Sequence, residues 1–310
     1  IKHYKNFLFG RTSNEKDNKL GSKYYLAKAY YLWNKDIRSK QVINYVKNSL
    51  DLKPSFLGYY IYIFSKFNDL DPLQRDLLIK KALDLPFNNE SDYMIYKRAL
   101  LQSLINKEKA TILLDERIEK NPDFAMSLFL RGIWKSSSGD KKGALDDYSK
   151  AIIAKPEFTD PYINKARIYS EKGPLQDYDA AIENYSHYLK IHQGDIRILF
   201  ERGKIESIKR KYLNAKNDFI KAINIFETNY LPNVSFIKDN QHPYLQAFLP
   251  LIVDIYIAKA ESEIKIGDNN SAHYTYTKLI SILPKIFPNK SEAERNEISS
   301  MIFSKIADIN

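Results

Sequence analysis

The stretch "SSSGDKKGA", residues 136–144, gathers serines, two glycines and a lysine pair, the composition of a loop that cradles a phosphate. Such a loop needs glycines spaced so that backbone N–H groups converge, followed by Lys and Ser or Thr entering a helix behind a strand. Here Gly139 precedes Asp140 and no strand pattern leads in. The stretch therefore reads as a turn, in which Gly139 takes a left-handed conformation at the end of one helix and Asp140 caps the next. The other residue types able to do chemistry are dispersed. His3, His187, His192, His242 and His273 are scattered, and His187 and His192 stand five apart, on different sides of a helix, which suits no shared metal. Asp146 and Asp147 are adjacent and point to different sides of their helix, the pattern of a solvated face rather than of an acid–base pair. A Gly-x-Ser-x-Gly elbow, a Walker pattern and a His-Glu-x-x-His motif are absent. With no cysteine, disulfides, thiolate metal sites and cysteine nucleophiles are excluded together. The expectation is a non-enzymatic protein with no cofactor, no metal and no small-molecule substrate.

The elements that carry these residues follow from composition and period. At 310 residues and 44% hydrophobic, the chain can bury a sizeable core. Residues 1–50 hold eleven Lys or Arg against Glu15, Asp17 and Asp36, so most of the formal charge of +10 sits at that end. A basic end of this kind is either a solvated surface or a patch for RNA or an anionic membrane. The longest apolar run, "AFLPLIVDIYIAKA", is interrupted by Pro250 and Asp254 and does not approach the roughly 18 residues of a membrane span. A start at Ile1 rather than Met suggests that a signal or lipid anchor preceded it, hence a bacterial envelope or periplasmic location, with the cytoplasm as the alternative.

A fixed period organises the chain. From Gly132, Ala144 follows after twelve residues, Tyr148 after four more, Ala151 after three and Pro156 after five. The same ruler from Gly203 meets Ala215, Phe219 and Ala222, with Glu227 in place of the proline, and from Ala260 it meets Ala272, Tyr276, Leu279 and Pro284. From Ala166 it meets Ala181, Tyr185 and Tyr188 once three extra residues are allowed in the turn. Paired antiparallel helices explain the spacing. Small residues, Gly132 against Ala144 and Gly203 against Ala215, permit a close crossing, an aromatic one turn later fills the wedge, and proline ends the second helix. Upstream, Pro54, Pro86, Pro122 and Pro156 sustain the period while the small residues are partly lost.

This pattern resembles the tetratricopeptide repeat, a helix-turn-helix unit of about 34 residues. The resemblance implies an all-α, right-handed solenoid (superhelix) of about six stacked hairpins. Its expected divisions are a basic lead-in (1–20), degenerate repeats (21–122), three well-matched repeats (123–229), a long loop (230–244), a further repeat (245–288) and a capping helix (289–310) opened by a Ser291–Glu294 capping box. It also implies a scaffold that holds a protein or peptide partner in a concave groove lined by the first helices. Counting outward from the small residues, the groove-facing positions are Met126, Phe129, Ile133, Ile163, Arg167, Arg197, Phe200, Lys204, Ile257 and Glu261, of which several, Phe129 and Phe200 especially, read equally as core between repeats. The carboxylate-gripping pattern of chaperone-binding members is met outright only at Asn164. Apolar residues beside Arg167, Arg197 and Lys204 suit a peptide with hydrophobic anchors and some acidic character.

Overall fold

A computed structural model of the chain describes residues 16–36, 39–86, 91–232, 243–287 and 290–309. Most of the basic lead-in, the greater part of the connection expected at 230–244, His3 and His242 lie outside these residues. Among the described residues there are fifteen helices and no strand. The chain divides into two compact units after Arg131, inside the seventh helix.

Unit 1 contains three hairpins, α1 (Lys16–Trp33) with α2 (Lys40–Leu52), α3 (Phe56–Ser65) with α4 (Pro72–Leu83), and α5 (Asp92–Ser103) with α6 (Lys107–Lys120), and then enters α7 (Ala125–Ser137). Residues 21–122 thus supply three pairs, and the described chain seven, against the six expected. The extra pair escaped the ruler because α3, "FLGYYIYIFS", is an almost continuous apolar run that buries Tyr60, Ile61 and Ile63 without small-residue spacing. Reciprocal bonds tie α1 to α2: the Ser22 hydroxyl donates to the Ser49 carbonyl at 3.1 Å, and the Ser49 hydroxyl donates to the Ser22 carbonyl at 2.9 Å. The Arg98 guanidinium donates to the carbonyls of Leu83 and Leu85 at 2.7 and 3.1 Å, satisfying acceptors at the end of α4. Lys97 is buried with its ammonium over the rings of Tyr60, Tyr93 and Trp33, at 4.1, 4.6 and 5.1 Å.

Unit 2 takes over within α7 and continues through α8 (Lys141–Ala154), α9 (Asp160–Ser170), α10 (Tyr178–Ile191), α11 (Ile196–Ile208), α12 (Tyr212–Asn229), α13 (Pro243–Lys265), α14 (Asn269–Ile286) and α15 (Glu292–Ala307). Each second helix buries its small and aromatic positions: Ala144, Tyr148 and Ala151 on α8; Ala181, Tyr185 and Tyr188 on α10; Ala215, Phe219 and Ala222 on α12; Ala272, Tyr276 and Leu279 on α14. Asp140, Asp177 and Asp268 cap three of these helices, accepting from the N–H groups of Gly143, Ala180 and Ser271. The turns before α8 and α14 place Gly139 at φ +92° and Gly267 at φ +82°, a region closed to most side chains. The capping box of Ser291 and Glu294 opens α15, which seats Ile302 fully and Ile298 and Ile306 partly against the core, while Met301 is exposed.

Two expectations about the ruler are corrected. What faces Gly132 and Gly203 most closely is an aromatic ring rather than an alanine: a Cβ on Gly132 would sit 2.6 Å from Cε1 of Tyr148. Proline ends the second helix at Pro54, Pro86, Pro122 and Pro156, each lying two or three residues beyond a helix, but Pro284 lies inside α14. There the burial of Ile282, Leu283 and Ile286 carries the helix through the lost N–H bond. The second helix before the expected loop, α12, ends at Asn229, and α13 opens on Pro243, a residue suited to the first helical position.

Candidate functional site

Unit 2 contains a cleft of about 550 Å³ lined by α9, the α10–α11 turn, and the facing ends of α12 and α13. Its position follows from local sequence. Pro161 starts α9 and places Ile163 and Arg167 one helical turn apart on its cleft side. His192 closes α10, its N–H bonded to the Tyr188 carbonyl, and Gly194 leads into Asp195, the cap of α11. Asp195 accepts from the N–H groups of Arg197 and Ile198 at 3.1 and 3.2 Å through one oxygen, and from the Tyr188 hydroxyl at 2.8 Å through the other. The Tyr188 ring stacks on His192 at 4.4 Å, and His192 Nε2 lies 2.9 Å from the Thr159 hydroxyl. Burial, and next the bond to Asp195, hold the Tyr188 phenol well above its ordinary pKa, so it remains a neutral donor. Tyr230 and Phe248, 5.9 Å apart, contribute aromatic surface from α12 and α13.

Of the groove positions, the structure brings Ile163, Arg167 and Arg197 into this cleft. Asn164 is adjacent on α9, with its amide turned back to the Asp160 carbonyl at 3.2 Å. Phe200 is corrected to a core residue: it is 7% exposed and packs on Phe219 at 5.9 Å, because one turn beyond Arg197 the helix faces its partner. Lys204 is exposed, lies over the Phe200 ring and pairs with Glu201 at 3.6 Å. Ile257 packs partly against the unit 2 core, and Glu261 pairs with Lys305 of α15 at 2.7 Å. Ile133 is exposed in unit 2, whereas Met126 and Phe129 are half-buried in unit 1.

The cleft also contains residues outside the counted groove positions: Tyr188, His192, Asp195, Tyr230 and Phe248. A second pattern was also available in the sequence. The residue before each small first-helix position is a cation, Arg131, Lys165, Arg202 or Lys259, and each reaches a residue sixteen positions away. Arg131 bonds Asp115 at 2.8 Å, Lys165 bonds Ser149 at 3.0 Å, and Lys259 bonds Thr275 at 2.6 Å. Arg202 joins Ser186 at 2.9 Å and holds Asp218 through two bonds of 2.6 and 2.7 Å. Asp147, expected on a solvated face, is fully buried and pairs with Lys135 at 2.9 Å. Neither Arg167 nor Arg197 makes an ion pair among the described residues.

The remaining chemical candidates resolve as structure. Lys141 of "SSSGDKKGA" pairs with Glu171 in the turn of the next hairpin. His187 stacks on Tyr162 at 5.3 Å, apart from the His192 stack on Tyr188. Among the described residues no group of three His, Asp or Glu is arranged to hold a metal ion, and no helix is long and apolar enough to cross a membrane.

No protein-family model and no curated protein matches the sequence. Solved structures do resemble it. The human IFIT1 dimer with m7Gppp-AAAA is 16% identical over 87% of this chain and 65% of that chain, with a TM-score of 0.55. A tetratricopeptide repeat protein from Parabacteroides merdae ATCC 43184 is 13% identical over 91% of this chain and 99% of that chain, with a TM-score of 0.46. YrrB, a TPR protein with an unusual peptide-binding site, is 18% identical over 66% of this chain and 92% of that chain, with a TM-score of 0.48. Successive helical hairpins, with an aromatic of the second helix laid on the small residue of the first, give this chain the all-α solenoid fold of the tetratricopeptide-repeat proteins.

Proposed function

We propose that the chain is a non-enzymatic scaffold that holds a segment of a partner protein in the unit 2 cleft. The observation that carries this reading is the pairing of two exposed guanidiniums, Arg167 and Arg197, with the apolar surface of Ile163, Tyr188, Tyr230 and Phe248. Such a surface anchors apolar side chains while the cations set register and orientation. Three buried carboxylates, Asp147, Asp218 and Glu263, are each tied to a neighbouring cation. They act as ties between helices rather than as bases open to a substrate.

Affinity capture from native extract, with the full chain and with Ile163→Glu and Arg197→Glu, tests the reading. A partner retained by the parent chain and lost from both variants, each with an unchanged circular-dichroism melt, is the expected result. Retention that ignores both substitutions overturns it. Retention that instead falls steeply with salt, in parent and variants alike, identifies the basic N-terminal region as the binding element.

A further inference from the structure

We propose that the group gripped between Arg167 and Arg197 is a doubly charged oxyanion, the phosphate of a phosphorylated serine or threonine in the partner segment; this rests on the scaffold reading. The inference begins with the charges of the cleft. Its lining holds two guanidiniums and one carboxylate, Asp195. Asp195 pairs with neither arginine among the described residues; one of its oxygens accepts from two N–H groups of α11 and the other from the Tyr188 hydroxyl. Its own charge is offset by the N-terminus of α11, which it caps, so that helix end is closed to a ligand. Two guanidinium charges therefore remain without a partner among the described residues.

Each guanidinium presents donors in a planar fork that matches carboxylate or phosphate oxygens in pairs. A single carboxylate answers one fork and leaves the other charge unmatched. A phosphate monoester carries roughly −1.5 to −2 charges at neutral pH and three acceptor oxygens, enough for both forks together. Ile163, Tyr188, Tyr230 and Phe248 on the remaining wall offer apolar contacts for the residues flanking the phosphate.

The test uses the full chain and arrays of degenerate peptides with phosphoserine, phosphothreonine, serine or aspartate fixed at the centre, read by fluorescence anisotropy. Expected are at least tenfold tighter binding of the phosphorylated arrays than of the aspartate array, and loss of that margin in Arg167→Gln and in Arg197→Gln. Competition by millimolar inorganic phosphate supports the inference when it erases the margin. Equal binding of the aspartate or serine arrays overturns the dianion and leaves the scaffold reading standing. A single-stranded RNA oligonucleotide bound with the same dependence on the two arginines, and more tightly than any peptide, overturns both. So does binding of no array, together with failure of the capture experiment.

Discussion

The ring of Phe219 lies directly on Gly203: a Cβ added to the glycine would stand 2.5 Å from Cε1 and 2.9 Å from Cζ of that ring. Tyr148 repeats the relationship on Gly132. A distance of this order leaves no room for a methyl group, so the glycine is required by its partner's ring rather than by a backbone angle. We predict that Gly203→Ala destabilises the protein by about 1–3 kcal/mol through overpacking. Phe219→Leu in the same background should recover part of the loss, giving a coupling energy above about 0.5 kcal/mol in denaturant titrations. Additive effects of the two substitutions would refute the contact.

Asp218 is 4% exposed and receives two hydrogen bonds from Arg202. Removing one partner of such a pair leaves the other desolvated and unmatched, a change that typically costs about 3–5 kcal/mol. Asp218→Ala is expected to fall in that range by chemical denaturation. A loss below about 1 kcal/mol would show that the pair is screened as a surface bridge is.

Glu206, one turn after Arg202 on α11, is buried; burial first and the Asp218 charge next push its carboxyl up to about 7. A carboxylate whose folded-state pKa is raised binds its proton more tightly when folded. Its contribution to stability is therefore complete below the unfolded value near 4.5 and disappears as pH rises through about 7. Parent protein should lose on the order of 1–3 kcal/mol between pH 5 and pH 8 relative to Glu206→Gln, measured by urea titration at each pH. Parallel pH profiles for the two proteins would remove Glu206 as the cause.

Lys97 is buried against three rings, and burial lowers its ammonium to about 8. A lysine with a depressed folded-state pKa favours the neutral form on folding, so its penalty is largest below pH 8 and fades as pH rises toward the unfolded value near 10.5. Cation–π attraction to each ring offsets part of the cost, at about 0.5–2 kcal/mol per contact. Lys97→Met, similar in length and uncharged, is expected to match or exceed the parent stability at pH 7 by up to about 1 kcal/mol. It should also lack the parent's gain between pH 8 and pH 10. A loss of more than about 2 kcal/mol at pH 7 would mean that the ring contacts outweigh desolvation.

The repeat ruler was legible because a helix crossing constrains residue size at fixed intervals, as at Gly203, Ala215 and Phe219. The cleft was only partly legible. Ile163, Arg167 and Arg197 follow from counting along helices, which works where one element supplies the face. Phe200 was misplaced because spacing says which residues share a side of α11, but not how far the partner helix wraps around it. Asp147 was misplaced for a related reason: a polar residue next to another reads as exposed until a cation from the paired helix, Lys135, is brought 2.9 Å away.

What the amino-acid sequence determined by itself is the all-helical architecture, the pairing of neighbouring helices and the capping of their ends, all of which depend on interactions within one or two turns. Asp140, Gly139, Ser291 and Glu294 act over three residues or fewer, and the ruler acts over one hairpin. Tertiary structure alone decided which charges are engaged among the described residues. Arg202 and Arg197 are five residues apart on one helix and indistinguishable by type, yet Arg202 meets Asp218 and Ser186 while Arg197 turns into a cleft shared with Phe248. That difference depends on which elements stand opposite each side chain, a relation set by packing between hairpins rather than by spacing within one.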